Sequence, residues 1–91
     1  MLTVISYDIP SDRRRRKIAK LLLDFGNRVQ YSVFEAELDN RRLNDMMARL
    51  SEEIDEEEDS IRVWRVCANC REQRYFLGMA DEVIPGAVII I

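Results

Sequence analysis

The chain has no histidine. That removes Ser-His-Asp and Cys-His catalysis from within the chain, and most zinc chemistry with it. Its two cysteines, Cys67 and Cys70, are too few for a disulfide framework, so a soluble protein in the reduced cytoplasm is expected. No apolar run nears the roughly 20 residues of a membrane helix. Met1 leads into a short mixed segment unlike a secretory leader, and no membrane partner is expected. Glycine and proline are scarce, at three and two, so few turns are marked by residue type. A chain of 91 residues makes one domain with a thin core. We divide residues 1–91 into a core of 1–78 and a tail of 79–91.

What is present is charge, unevenly spread. Residues 11–28 hold seven Lys or Arg against two acids, a local +5 within a net charge of −3. The compensating acids concentrate in residues 52–59. Such asymmetry speaks of partners and fields rather than of fold.

Residues 2–7 are β-branched and read as a strand, which Asp8-Ile9-Pro10-Ser11 stops. Ser11 is a good helix N-cap, and Asp12 suits the positive end of the first turn. Ile18, Leu21, Leu22 and Phe25 form one apolar helical face, and Gly26 sits where a C-cap glycine belongs. Residues 28–38 are too long for one strand and split into two, with the kink near Ser32-Val33. Asp39 or Asn40 caps a second helix with the stripe Leu43, Met46, Met47, Leu50 and Ile54. Residues 55–60 read as an acidic, solvated connection. Residues 61–67 alternate as a strand, with Ile61, Val63, Arg65 and Cys67 on one face and Arg62, Trp64 and Val66 on the other. Residues 74–78 and 83–91 supply further extended pieces. The order β-α-β-β-α-β specifies an α+β, ferredoxin-like antiparallel sheet with two helices on one face, plus a C-terminal extended strand. Met46, Met47 and Trp64 are assigned to the core. The apolar tail, residues 83–91, is assigned to a sheet edge, its own or a partner's.

Three stretches together resemble the CRISPR-associated Cas-two family: Ile5-Ser6-Tyr7-Asp8-Ile9 with the basic helix behind it; Arg28-Val29-Gln30-Tyr31-Ser32-Val33-Phe34-Glu35; and residues 54–63 leading into the last core strand. Members of that family are ferredoxin-like homodimers of CRISPR adaptation, described as metal-dependent endonucleases on single-stranded RNA or double-stranded DNA. They also serve as the non-catalytic bridge of the spacer-acquisition integrase. The resemblance therefore implies a homodimer, a CRISPR-associated integrase subunit as partner, and Mg2+ or Mn2+ as cofactor. Carried over by position, it puts the metal-ligating, catalytic aspartate at Asp8, with Tyr7 beside it. Basic positions fall on Arg15, Lys17 and Arg28, and an aromatic on Phe34.

The residues themselves allow more than one reading. Asp8 either terminates a strand and helps cap a helix, or offers a carboxylate at an open loop edge. One carboxylate is a poor magnesium site, and a two-fold axis near Asp8 would bring in a second. The run Arg13, Arg14, Arg15, Arg16 and Lys17 is either a solvated helix face or a phosphate-binding surface. With no acid at i+4 until Asp24, mutual repulsion favours phosphate. Tyr7, Tyr31 and Phe34 are candidates for stacking on bases, or for core. Cys67-x-x-Cys70 has ligand spacing but supplies only half a zinc site, so two free thiols or a redox pair are expected. Two functions follow: a metal-dependent phosphodiesterase, and an adaptor that holds nucleic acid. A small regulatory or toxin-like RNA-binding module without a CRISPR role is the alternative.

Overall fold

The computed structural model describes residues 1–80. The edge strand expected at residues 83–91 lies outside them. Strand β1 (Leu2–Asp8) leads to helix α1 (Asp12–Leu22), the hairpin β2 (Asn27–Gln30) and β3 (Val33–Glu37), helix α2 (Asn40–Glu53), strand β4 (Ser60–Val66) and a single turn α3 (Ala68–Arg71). The sheet order is β2-β3-β1-β4 and every described neighbour is antiparallel, which is the expected ferredoxin-like arrangement.

Both helix starts form as their residues dictate. Ser11 Oγ accepts from the Arg14 amide and Asp39 Oδ1 from the Arg42 amide, each satisfying an otherwise orphaned donor. Ile18, Leu21 and Leu22 of α1, with Met46 and Leu50 of α2, are buried against Ile5, Tyr7, Phe34 and Ala36 of the sheet. Period-two alternation turns one sheet face to the helices. The other is open toward Asp8, whereas at its Leu2 end the α3 segment lies over it, with Leu2 buried, Arg71 paired to Glu37 and Arg74 to Glu35 at 3.6 Å.

Four local expectations are corrected. Helix α1 ends at Leu22, before Phe25, and Leu23 keeps right-handed backbone angles. Gly26 is therefore no left-handed cap: a Cβ there would lie 2.1 Å from the Glu35 carbonyl oxygen and 2.6 Å from the Ala36 Cβ, so the β3 backbone excludes a side chain. Met47 and Trp64 are not core, being 42% and 49% exposed, whereas Met46 is fully buried. Trp64 follows the outward half of the β4 alternation. The extended piece expected at residues 74–78 joins no strand among the described residues, and a helical turn capped by Cys67 precedes it instead.

Candidate functional site

Asp8 ends β1 opposite Ser60 of β4. Because side chains alternate, Val4, Ser6 and Asp8 share the uncovered face, whereas Ile5 and Tyr7 point to the helices. Val4 pairs with Trp64 on one side and Glu35 on the other, and Ser6 pairs with Arg62 and Val33. The uncovered face thus has an apolar middle, with Asp8 exposed at its end. Among the described residues the Asp8 carboxylate has no ion pair or hydrogen bond. No group of three or more potential ligands surrounds a metal position among them either. Within one chain Asp8 stands as a single donor.

The basic run divides into paired and unpaired members. Arg14 is locked: its Nε donates to Asp59 Oδ2 at 2.8 Å, and its Nη2 donates to Asp59 Oδ1 and Glu58 Oε2, both at 3.1 Å. The Asp59 side chain has no exposed surface and also accepts from the Asp55 amide at 2.9 Å. The Arg14 hydrogen bond holds the Asp59 carboxyl below its ordinary range, with burial opposing it, and raises the Arg14 guanidinium in turn. Lys17 pairs with Glu53 at 2.9 Å, and Arg15 pairs with Asp12 while donating to the Ile9 carbonyl at 3.1 Å. The acids missing at i+4 are supplied from afar for Arg14 and Lys17. The connection before β4 is solvated at Glu56, Glu57 and Glu58, as expected, but its Asp59 side chain is buried and clamps α1 through Arg14, and Glu53 of α2 pairs with Lys17. Arg13, Arg16 and Lys20 are exposed, with no described partner.

Six positions named from the sequence converge on a cleft of about 580 Å³ between the flank of α1 and the β2–β3 turn: Tyr7, Arg15, Arg16, Arg28, Tyr31 and Phe34. Arg28 Nη2 donates to the Tyr7 hydroxyl at 3.2 Å, and the Tyr7 hydroxyl donates to the Tyr31 carbonyl at 3.4 Å. The Arg28 guanidinium lies 5.4 Å from the Phe34 ring centre and 6.0 Å from that of Tyr31. Tyr7 and Phe34 are buried at 4% and 1%, so they hold Arg28 and the turn in place, while Tyr31 is the aromatic open to solvent. Lys17 and Arg14 lie outside the cleft lining, and so does Asp8, whose side chain is on the other side of the sheet. Leu23 and Lys20, which the sequence reading did not single out, complete the cleft. Their signal was the spacing 16, 20, 23 along one flank of α1.

Cys67 and Cys70 are free and exposed. The neighbouring Cys70 amide and thiol lower the Cys67 pKa, and Cys67 in turn raises that of Cys70. No described helix is long and apolar enough to cross a membrane.

Comparison with known proteins fits this geometry. The family described as CRISPR associated protein Cas2 matches residues 1–74. "CRISPR-associated endoribonuclease Cas2 3" of Synechocystis sp. is 41% identical, covering 99% of this chain and 98% of its own. "CRISPR-associated endoribonuclease Cas2 1" of Chloroflexus aurantiacus is 48% identical over 86% of this chain and 85% of its own. The crystal structure of Streptococcus pyogenes Cas2 at pH 6.5 superposes with a TM-score of 0.76 at 36% identity, covering 86% of this chain and all of that one.

Proposed function

The chain belongs to the CRISPR associated protein Cas2 family, and from that premise we propose that it works in CRISPR adaptation as a homodimer. Its uncovered sheet faces stack on each other. It retains double-stranded DNA or single-stranded RNA and bridges the CRISPR-associated integrase subunit. Metal-dependent phosphodiester hydrolysis at Asp8 is its second activity. The observation that carries this reading is the placement of Val4, Trp64 and Asp8 on one uncovered face. A half-exposed tryptophan beside valines is surface that a second copy would cover. A two-fold axis through that face would bring two Asp8 carboxylates to one place.

An exposed, unpaired carboxylate suits hydrated Mg2+ or Mn2+, which take one or two carboxylates and fill the remaining positions with water and phosphate oxygens. Such an ion, held by Asp8 of each copy, would supply a more acidic water and a polarised phosphodiester. The chain's own residues do the rest. Arg13, Arg16 and Lys20 attract the phosphate backbone with release of counterions, and binding by such contacts carries no sequence preference. Arg14 and Lys17, with their charges neutralised, hold α1 to α2 and β4. The chain has no histidine, and among the described residues no second carboxylate stands beside Asp8 to serve as a separate general base. Retention and bridging therefore rank above hydrolysis as its task.

The test is Asp8→Ala beside the parent protein, assayed on RNA and duplex DNA with Mg2+, with Mn2+ and with chelator, and in a pull-down with the integrase subunit. The expected result is loss of metal-dependent cleavage with duplex and partner capture unchanged. Equal cleavage by both proteins removes Asp8 from the chemistry. Failure of the parent to capture duplex or partner removes the adaptor role. No observation favours the regulatory or toxin-like alternative.

A further inference from the structure

The cleft beside α1 has a composition that backbone binding does not need. Its lining includes four cations, Arg15, Arg16, Lys20 and Arg28, and no carboxylate. Two of the four are already fixed by protein partners, Arg15 on the Ile9 carbonyl and Asp12, and Arg28 on the Tyr7 hydroxyl. Arg16 and Lys20 have no partner among the described residues. A groove for a phosphate backbone would need nothing further. Yet the same cleft is walled by Tyr31 at 73% exposure and Leu23 at 61%, with Ala19 between the cations on the α1 flank. These are bare apolar surfaces placed next to unsatisfied positive charge.

A ligand that satisfies both has a flat apolar part and an anionic part. At about 580 Å³ the cleft is in the ordinary range for small-ligand pockets, roughly 300–1,000 Å³, and far too small for a duplex. The Tyr31 platform is preorganised: its carbonyl accepts from Tyr7, and its ring is backed by the Arg28 guanidinium. An aromatic ring of that kind takes any base by its π-face, and arginine beside it adds a cation–π contribution. We propose that the cleft binds one unpaired nucleotide, its base against Tyr31 and Leu23 and its phosphate against Arg16 and Lys20. The proposal rests on the nucleic-acid reading above and deepens it. The α1 cations hold a strand, and the cleft captures a nucleotide outside the double helix, because a base stacked within a duplex presents no free face. The chemistry admits two sources, an unpaired strand end or a free mononucleotide.

The experiment uses the full chain. Uridine and adenosine 5′-monophosphate are titrated while backbone amide resonances are followed, with inorganic phosphate and the bare nucleosides as controls. Both nucleotides are expected to shift Arg16, Lys20, Leu23 and Tyr31, with each control at least about tenfold weaker, because stacking and charge act together. Blunt duplex DNA is then compared with the same duplex bearing a five-nucleotide single-stranded end. Tighter binding of the overhang assigns the cleft to strand ends, and mononucleotide binding without that advantage assigns it to free nucleotides. Both outcomes support the site. Tyr31→Ala, at an exposed turn position, is expected to abolish the overhang advantage or weaken mononucleotide binding by about tenfold, leaving blunt-duplex affinity within about twofold. Unshifted cleft amides overturn the proposal, as does a Tyr31→Ala variant that weakens blunt and overhanging duplex equally. If the parent fails to bind blunt duplex, the backbone reading fails instead, and the mononucleotide titration still reports on the cleft.

Discussion

The two faces of the sheet are made by the same strands and have opposite fates. On the helix side, Thr3, Ile5, Tyr7, Phe34 and Ala36 are each no more than 4% exposed, closed over by α1 and α2. On the other side, Leu2 is buried beside the α3 segment and Glu35 pairs with Arg74, but Val4, Ser6, Asp8 and Trp64 keep part or much of their surface in water. Valine and tryptophan beside an aspartate and an arginine suit neither a core nor a plain solvent face. The difference teaches where stability ends and function begins: one face holds the chain together, and the other is the surface on which the proposed dimer depends.

Mutation can break that comparison. The largest effect belongs to the helix side. Phe34→Ala should cost about 3–5 kcal/mol in denaturant unfolding, and a loss under about 1 kcal/mol would show that this face is not the core. Gly26→Ala tests the same side through the backbone, since its Cβ would collide with the Glu35 carbonyl oxygen. It should lower the thermal midpoint more than alanine at any exposed helix position. On the uncovered face, Trp64→Ala should leave the monomer's circular dichroism unchanged while weakening dimerisation about 10- to 100-fold in sedimentation, as expected for a buried aromatic anchor. An unchanged dimer constant would place the interface elsewhere. A smaller effect comes from the clamp between α1 and β4. Because the folded-state pKa of Asp59 is lowered, its contribution is complete above the ordinary carboxylate value and is lost as pH falls through the lowered one. Asp59→Asn should therefore lower stability at neutral pH and flatten its acid limb, and parallel curves would contradict the clamp. Smallest is a difference in thiol reactivity: near neutral pH, alkylation should favour Cys67 over Cys70, in keeping with their opposite shifts. Equal labelling would contradict that difference.

Local rules carried the sequence reading as far as they reach. Caps at Ser11 and Asp39, the alternation in β1 and β4, and the kink at Ser32-Val33 are decided by neighbouring residues, and all three stand in the fold. Alternation also sorted Trp64 and Val63 to opposite faces. It does not say which face the helices cover, so Trp64 reads as inward. The basic run shows the second limit. Helix periodicity relates Arg14 to positions three or four away, but its partner Asp59 is brought back by α2, 45 residues on. The same long-range folding turns the acidic connection into a clamp and leaves Arg13, Arg16 and Lys20 as the available charges. A rule about helix ends marks Gly26, but what requires glycine there is the close approach of β3, which no such rule sees.

The central claim is that the uncovered faces of two copies meet and put two Asp8 carboxylates at one metal position. Its most direct test is the stoichiometry of Mn2+ bound by the dimer, read by electron paramagnetic resonance. The account predicts one ion for every two chains, lost in Asp8→Asn without loss of the dimer. One ion per chain, or binding that survives Asp8→Asn, would contradict it.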